Sequence, residues 1–189
     1  MKGSTEDGLA EILGQPRVSL VIGLGPDDVP HILNMASETG IFTVEELLTA
    51  EELAWECAFQ DSEGKTGIIQ ARINDENGER PVAFVCFGPI PHWLENYELY
   101  FIVVDEKYRE QGIGTSLLYE MKACVRDAGG HRIYLEIGSG PSFENARRFY
   151  EARRFTIESR FCKQFIPGKG SVNYSKLLYD DALSLNIRE

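Results

Sequence analysis

Val104-Asp105-Glu106-Lys107-Tyr108-Arg109-Glu110-Gln111-Gly112-Ile113-Gly114-Thr115 carries the transition that decides the fold. Upstream, Tyr97 to Val104 reads as a strand. Downstream, Ile113, Leu117, Leu118, Met121, Cys124, Val125 and Ala128 recur at helical spacing, on a helix starting near Thr115 and closed by Gly129-Gly130. A glycine-rich turn feeding a helix presents N–H groups without intrahelical partners, together with the positive end of the helix dipole. That combination suits a diphosphate. Gly112 and Gly114 have no Cβ, so a ligand can approach the backbone closely. The Walker pattern fails, because Thr115-Ser116 follows Gly114 with no Lys, and the dinucleotide pattern fails at Leu117, where a third Gly belongs. Gly23-x-Gly25 and Gly138-x-Gly140 fail the same test.

Working outward, Val18, Leu20 and Ile22 alternate as a first strand, and Pro26 opens a short helix that Thr39-Gly40 ends. Thr43 with Glu46 and Thr49 with Glu52 both have capping-box spacing, so Thr43 to Phe59 is one bent helix or two short ones. Ile68 to Ile73 and Val82 to Phe87 flank Asn77-Gly78, a hairpin signal. After the decisive turn and its helix, Ile133 to Ile137 reads as strand, and Phe143, Ala146, Phe149 and Tyr150 mark a helical face. Phe155 to Phe165 and Val172 to Leu178 are the final strands. The order is that of one mixed α/β domain over 17–179, with a leader at 1–16 and a tail at 180–189.

At 189 residues, the chain is long enough for one domain with a sizeable core. A net charge of −11 argues against nucleic acid or an anionic membrane as partner, since both reward cationic surface. It favours an amine-bearing acceptor only weakly. Cys57, Cys86, Cys124 and Cys162 lie too far apart for a zinc or redox motif, so no metal is expected and reduced thiols in a cytoplasmic protein are the reading. Met1 to Gln15 lacks the apolar run of a secretory signal, and no stretch approaches a membrane span.

Arg109-x-x-Gly112-x-Gly114 resembles the pyrophosphate motif of the GNAT superfamily of acetyl-CoA-dependent N-acetyltransferases, and it follows a strand as that motif does. Ala146-Arg147-Arg148-Phe149-Tyr150-Glu151 to Phe155 is similar to the family's second cofactor segment. Thr39 to Thr43, Cys86 to Pro89 and Phe165 to Gly168 resemble a bacterial and archaeal branch. The resemblance runs from about Val18 to Lys176. It implies a mixed, mostly antiparallel central sheet of about six to seven strands flanked by helices.

It also implies a cofactor site in which main-chain groups of Ile102, Val103 and Val104 pair with pantetheine and the acetyl carbonyl. Amides of Arg109, Gln111, Gly112, Ile113, Gly114 and Thr115 would face the pyrophosphate. Three positions depart from the pattern: Glu110 stands where Gly is frequent, Phe143 stands where many members have Asn with Asn145 two residues on, and Arg154 replaces the Gly before Phe155.

Acetyl transfer from a thioester to an amine needs a base for the ammonium and benefits from a proton donor for the departing thiolate. Glu98 begins the strand that leads into the turn, on one face with Tyr100, Ile102 and Val104 by period-two alternation. Its position is similar to that of the glutamate of the histone-acetylating branch; the alternative is a strand-end carboxylate with no role. Glu136 on the next strand is a rival. Tyr150 matches the family tyrosine beside the CoA sulfur, and its alternative is a core tyrosine. His92 and Trp93 precede the Glu98 strand and border either the acceptor or solvent. Arg147, Arg148, Arg153 and Arg154 reach CoA phosphates or form a solvated helix face.

The expected function is therefore transfer of an acetyl group from acetyl-CoA to a primary amine: a small amine, a peptide N-terminus or a lysine. A transferase for a different acyl-CoA, another nucleotide-using enzyme and a non-catalytic CoA-binding module are the rivals. A homodimer is compatible with all of them.

Overall fold

The computed structural model describes residues 18–59, 66–76, 78–93, 95–162 and 170–179, with backbone alone at 161 and 162. The elements follow in the order β1 (Val18–Ile22), α1 (Val29–Glu38), α2 (Val44–Phe59), β2 (Gly67–Asp75), β3 (Gly78–Pro89), β4 (Asn96–Val104), α3 (Ile113–Asp127), β5 (Arg132–Gly138), α4 (Glu144–Glu151), β6 (Thr156–Cys162) and β7 (Gly170–Leu177). Short 3-10 turns at Pro26–Asp28, Glu106–Tyr108 and Pro141–Phe143 lead into or lie between these elements. The strands form a seven-stranded sheet ordered β1-β2-β3-β4-β5-β7-β6. β1 with β2, β5 with β7 and β6 with β7 are antiparallel, while β4 and β5 run parallel. This is the mostly antiparallel α/β sheet that the sequence implies.

Contacts divide the described residues into two compact units. One takes residues up to Val85 together with Ile102–Leu118; the other takes Cys86–Phe101 with the residues from Tyr119 onward.

In the first unit, β1 pairs with β2 from Val18↔Ile73 to Ile22↔Ile69. Ile68, Ile69, Ala71 and Ile73 of β2 are buried, as are Val29 and Ile32 of α1. A buried polar group interrupts this apolar run. Gln70 is 1% exposed, and its amide donates to Gly23 O at 2.9 Å. Its carbonyl accepts from Arg72, whose guanidinium also pairs with Asp28 at 2.7 Å and Glu79 at 3.0 Å. The network ties the turn after β1 to the strand beside it, and each polar group is satisfied, as burial demands.

One capping box forms and the other does not. Thr43 Oγ1 accepts from the Glu46 amide at 3.2 Å while the Glu46 carboxylate accepts from the Thr43 amide at 2.7 Å, which starts α2. Thr49 lies inside the helix, its hydroxyl donating to Glu45 O at 3.0 Å, so Val44–Phe59 is a single helix.

In the second unit, Tyr174 (0% exposed), Leu135 and Ile133 bury one sheet face, and Tyr174 Oη donates to Glu151 of α4 at 2.7 Å. α3 ends as expected, with Gly129 at φ 81. Ala128 lies one residue past the helix and is exposed rather than part of the apolar face. β6 is described to Cys162. The rest of the strand expected to reach Phe165, the Phe165–Gly168 run, Asn77 of the hairpin turn, and the leader and tail lie outside the described residues.

Arg154 adopts φ 63. A left-handed conformation costs a residue with a Cβ about 1–2 kcal/mol, offset by about 0.5–1 kcal/mol of extra chain entropy in a glycine variant. Arg154→Gly is therefore expected to stabilise the protein by about 0.5–1 kcal/mol, or about 1–4 °C in a thermal melt. A lower Tm for the variant would show that contacts of the Arg154 side chain outweigh the backbone term.

Candidate functional site

β4 buries Leu99 and Val103 on one face and leaves Glu98, Tyr100, Ile102 and Val104 half-buried on the other. Past Val104 the chain bends through Asp105, whose carboxylate accepts from the Lys107 amide at 2.9 Å. The Asp105 amide donates to Val82 O at 2.9 Å. The turn then contains two left-handed residues, Glu110 at φ 62 and Gly112 at φ 82. Glu110 is exposed, so its carboxylate reaches solvent at the position where the family often has Gly. At Gly112 an added Cβ would meet nothing within 4 Å, so the space beside the backbone is open.

The structure sorts the six expected amides. Arg109 N donates to Glu106 O at 3.4 Å and Thr115 N to Gly112 O at 2.9 Å, so both are engaged by the turn itself. Among the described residues, no backbone carbonyl takes the amides of Gln111, Gly112, Ile113 or Gly114, which open the 15-residue helix α3. Side chains brace the loop. Arg109 Nε donates to Val104 O at 3.1 Å, and Gln111 Nε2 to Lys107 O at 3.1 Å. The Arg109 guanidinium thus holds the end of β4, and the Val104 carbonyl is already occupied. Four amides at a helix N-terminus around an open glycine fit a diphosphate. Among the described residues no group of three or more His, Cys, Asp or Glu is placed to hold a metal ion.

Glu98 lies in the second unit. The parallel β4–β5 register runs Asn96↔Arg132, Tyr97↔Ile133 and Glu98↔Tyr134, and ends there. Paired residues share a face, so Glu98, Tyr134 and Glu136 project to the same side of the sheet. Burial, reinforced by the nearby Glu136 charge, raises the Glu98 pKa above the ordinary carboxylate value. A carboxylate so shifted is a better base near neutral pH. The structure therefore brings the two rival glutamates together.

Tyr150 has a different setting. Its ring is 4% exposed, edge-on to Phe149 at 5.1 Å and to Phe155 at 5.4 Å. Burial raises its pKa well above the usual phenol value. Phe143 packs on Gly138, where an added Cβ would lie 2.5 Å from its ring, whereas Asn145 is exposed.

The arginine cluster resolves into separate tasks. Arg147 Nη1 donates to Gly138 O at 2.6 Å and Gly140 O at 2.9 Å, tying the loop after β5 to α4. Arg148 pairs with Glu144 one turn away. Arg153 lies 3.7 Å from the Phe149 ring centroid and donates to Phe149 O at 2.7 Å. Two of these side chains brace the fold, a role their spacing alone did not reveal.

A strand delivers a glycine turn to a helix N-terminus within a mixed seven-stranded sheet. The chain belongs to the Acetyltransferase (GNAT) family, whose sequence profile matches residues 30–155. A protein assigned to the GNAT acetyltransferases from Desulfovibrio desulfuricans is 26% identical, with a TM-score of 0.77 over 86% of this chain and 99% of its own. The Escherichia coli ribosomal-protein-S18-alanine N-acetyltransferase shares the fold at 18% identity, with a TM-score of 0.65 over 86% of this chain and 94% of that one. Arabidopsis thaliana NAA60, solved in complex with acetyl-CoA, shares it at 16% identity, with a TM-score of 0.67 over 86% and 99%. No match was found among curated proteins. Among the described residues, no helix is long and apolar enough to cross a membrane.

Proposed function

We propose that this acetyltransferase moves the acetyl group of acetyl-CoA to a primary amine, in a single domain spanning about residues 17–179. The observation that carries the reading is the glycine turn, with four successive amides open at the start of α3 around a left-handed Gly112.

Gln111, Gly112, Ile113 and Gly114 hold the diphosphate through backbone N–H groups. Arg109 and Thr115 stabilise the turn around them. Main-chain groups of Ile102 and Val103, with the Val104 amide, align the pantetheine arm. Acetyl-CoA supplies the activated acyl group; the protein supplies position and proton transfer. Glu98, with its proton affinity raised by burial and Glu136, takes a proton from the acceptor ammonium, directly or through water. Tyr150 donates a hydrogen bond to the sulfur as the thioester breaks. Its raised pKa keeps the hydroxyl protonated, and it also makes complete transfer to a thiolate near ~8.5 uphill, so donation rather than ionisation is its role.

The turn is tested without chemistry. Acetyl-CoA at 100-fold over its Kd should stabilise the native protein by about 2.7 kcal/mol. In Gly112→Val, backbone strain lowers the starting Tm and the added bulk fills the approach to the amides, so the acetyl-CoA shift should vanish. An equal shift in both proteins would remove the turn from the site. Release of CoA with a panel of amines then separates a transferase from a module that only binds.

A further inference from the structure

Trp93 is an exposed aromatic to which acetyl transfer as proposed gives no role. It is 56% exposed and stacks on Tyr134, with centroids 5.5 Å apart and planes 18° from parallel. The loop that carries it is closed by backbone bonds: Ile90 N to Asn96 O at 2.8 Å, Trp93 N to Ile90 O at 3.1 Å and Asn96 N to Trp93 O at 3.1 Å. Its neighbours His92 at φ 62 and Glu95 at φ 72 both hold the left-handed conformation that side chains disfavour. Glu95 O anchors the loop by accepting from the amides of His131 and Arg132, at 2.7 and 3.3 Å. A costly, closed loop thus fixes an indole with one ring face on Tyr134 and much of the rest in water.

What lies beside this aromatic pair gives it a ligand. Tyr134 is the register partner of Glu98, and neighbouring strands are about 4.8 Å apart. Glu136 is two residues further along the same face. Arg132 on the same strand lies 5.8 Å from the Tyr134 ring centroid and its Nη1 donates to Tyr134 Oη at 3.4 Å, while Glu158 at 3.3 Å balances its charge. Two carboxylates next to an exposed aromatic surface match a molecule with an ammonium at one end and a flat apolar body at the other. The ammonium meets the carboxylates, and the body stacks on the indole. An ammonium arriving between Glu98 and Glu136 also relieves their mutual repulsion.

We propose that Trp93, stacked on Tyr134 and adjoining Glu98 and Glu136, is the acceptor platform, and that the acceptor is an arylalkyl primary ammonium. This rests on the acetyl-transfer reading, and it specifies the acceptor class.

The test uses 2-phenylethylamine and propylamine. In a Trp55→Phe background Trp93 is the sole indole, since the chain has two tryptophans. Its fluorescence should then change saturably with 2-phenylethylamine and not with 2-phenylethanol, which lacks the ammonium. In turnover with acetyl-CoA, 2-phenylethylamine should have a KM about tenfold below that of propylamine. Trp93→Ala should raise the arylamine KM to the propylamine value, moving kcat far less, and Trp93→Phe should restore most of the preference. Equal KM values for the two amines in wild type, or a Trp93→Ala effect equal on both, overturns the platform while leaving acetyl transfer standing. Saturable fluorescence without CoA release from any amine supports the platform and removes the acetyl-transfer reading instead.

Discussion

Glu98→Gln is expected to lower kcat/KM about 10²–10⁴-fold near neutral pH, the range for loss of a positioned general base. The deficit should shrink at alkaline pH, where more of the acceptor amine is already neutral. Stability should move the other way. A carboxyl whose folded pKa is raised binds more protons in the native than in the unfolded state between the two values. Stability therefore falls as pH rises from ~4.3, the unfolded value, through the folded one. The glutamine has no such charge, so the variant should melt above wild type at pH 7 and lose that advantage below about pH 4. Glu136→Gln should reproduce part of the stability gain, because burial is the larger cause of the Glu98 shift and Glu136 the smaller. A pH–rate profile for Glu98→Gln that overlays wild type makes Glu98 a bystander, whatever its effect on melting.

Tyr150→Phe is expected to cost about 10²-fold in rate with little change in Tm or in acetyl-CoA affinity. The ring keeps its edge-on contacts with Phe149 and Phe155, and only the hydroxyl is lost. Varying the leaving group sharpens the test. An acyl donor whose thiol is more acidic needs less help from a hydrogen bond, so its penalty should be smaller. Wild-type turnover by Tyr150→Phe with acetyl-CoA would assign the residue to the core alone.

The elements whose pattern depends on neighbours in sequence were legible beforehand. The Ile113–Val125 helical stripe, the Gly129 stop and the alternation along β4 come from local periodicity, and the structure reproduces them. Left-handed Arg154 was also foreseeable, since a residue in place of glycine before Phe155 had to strain or rebuild the turn. Features set by partners distant in the chain were not visible. Gln70 reads as one polar residue in an apolar strand, and its reason for burial is Gly23 O, 47 positions away. Thr49 has the spacing of a cap, yet the helix already begun at Thr43 overrides it. The same limit applied at the site. The glycine turn declared itself, whereas the Glu98–Glu136 association and the stacking of Trp93 on Tyr134 depend on a parallel register that no local pattern encodes.

The thiol of Cys57 has a practical consequence. It donates to Thr66 O at 3.3 Å, and burial, with a smaller contribution from Glu56, pushes its pKa up to about 11. At pH 7 roughly one molecule in 10⁴ carries the thiolate there, against a few per cent for an ordinary free thiol. A disulfide dye added to a working reaction would therefore colour with liberated CoA long before it touched Cys57. The lag ends when the helix end opens and the sulfur meets water, so in a variant with Cys86, Cys124 and Cys162 replaced by alanine, slow colour development in enzyme alone would time the breathing of that corner of the molecule.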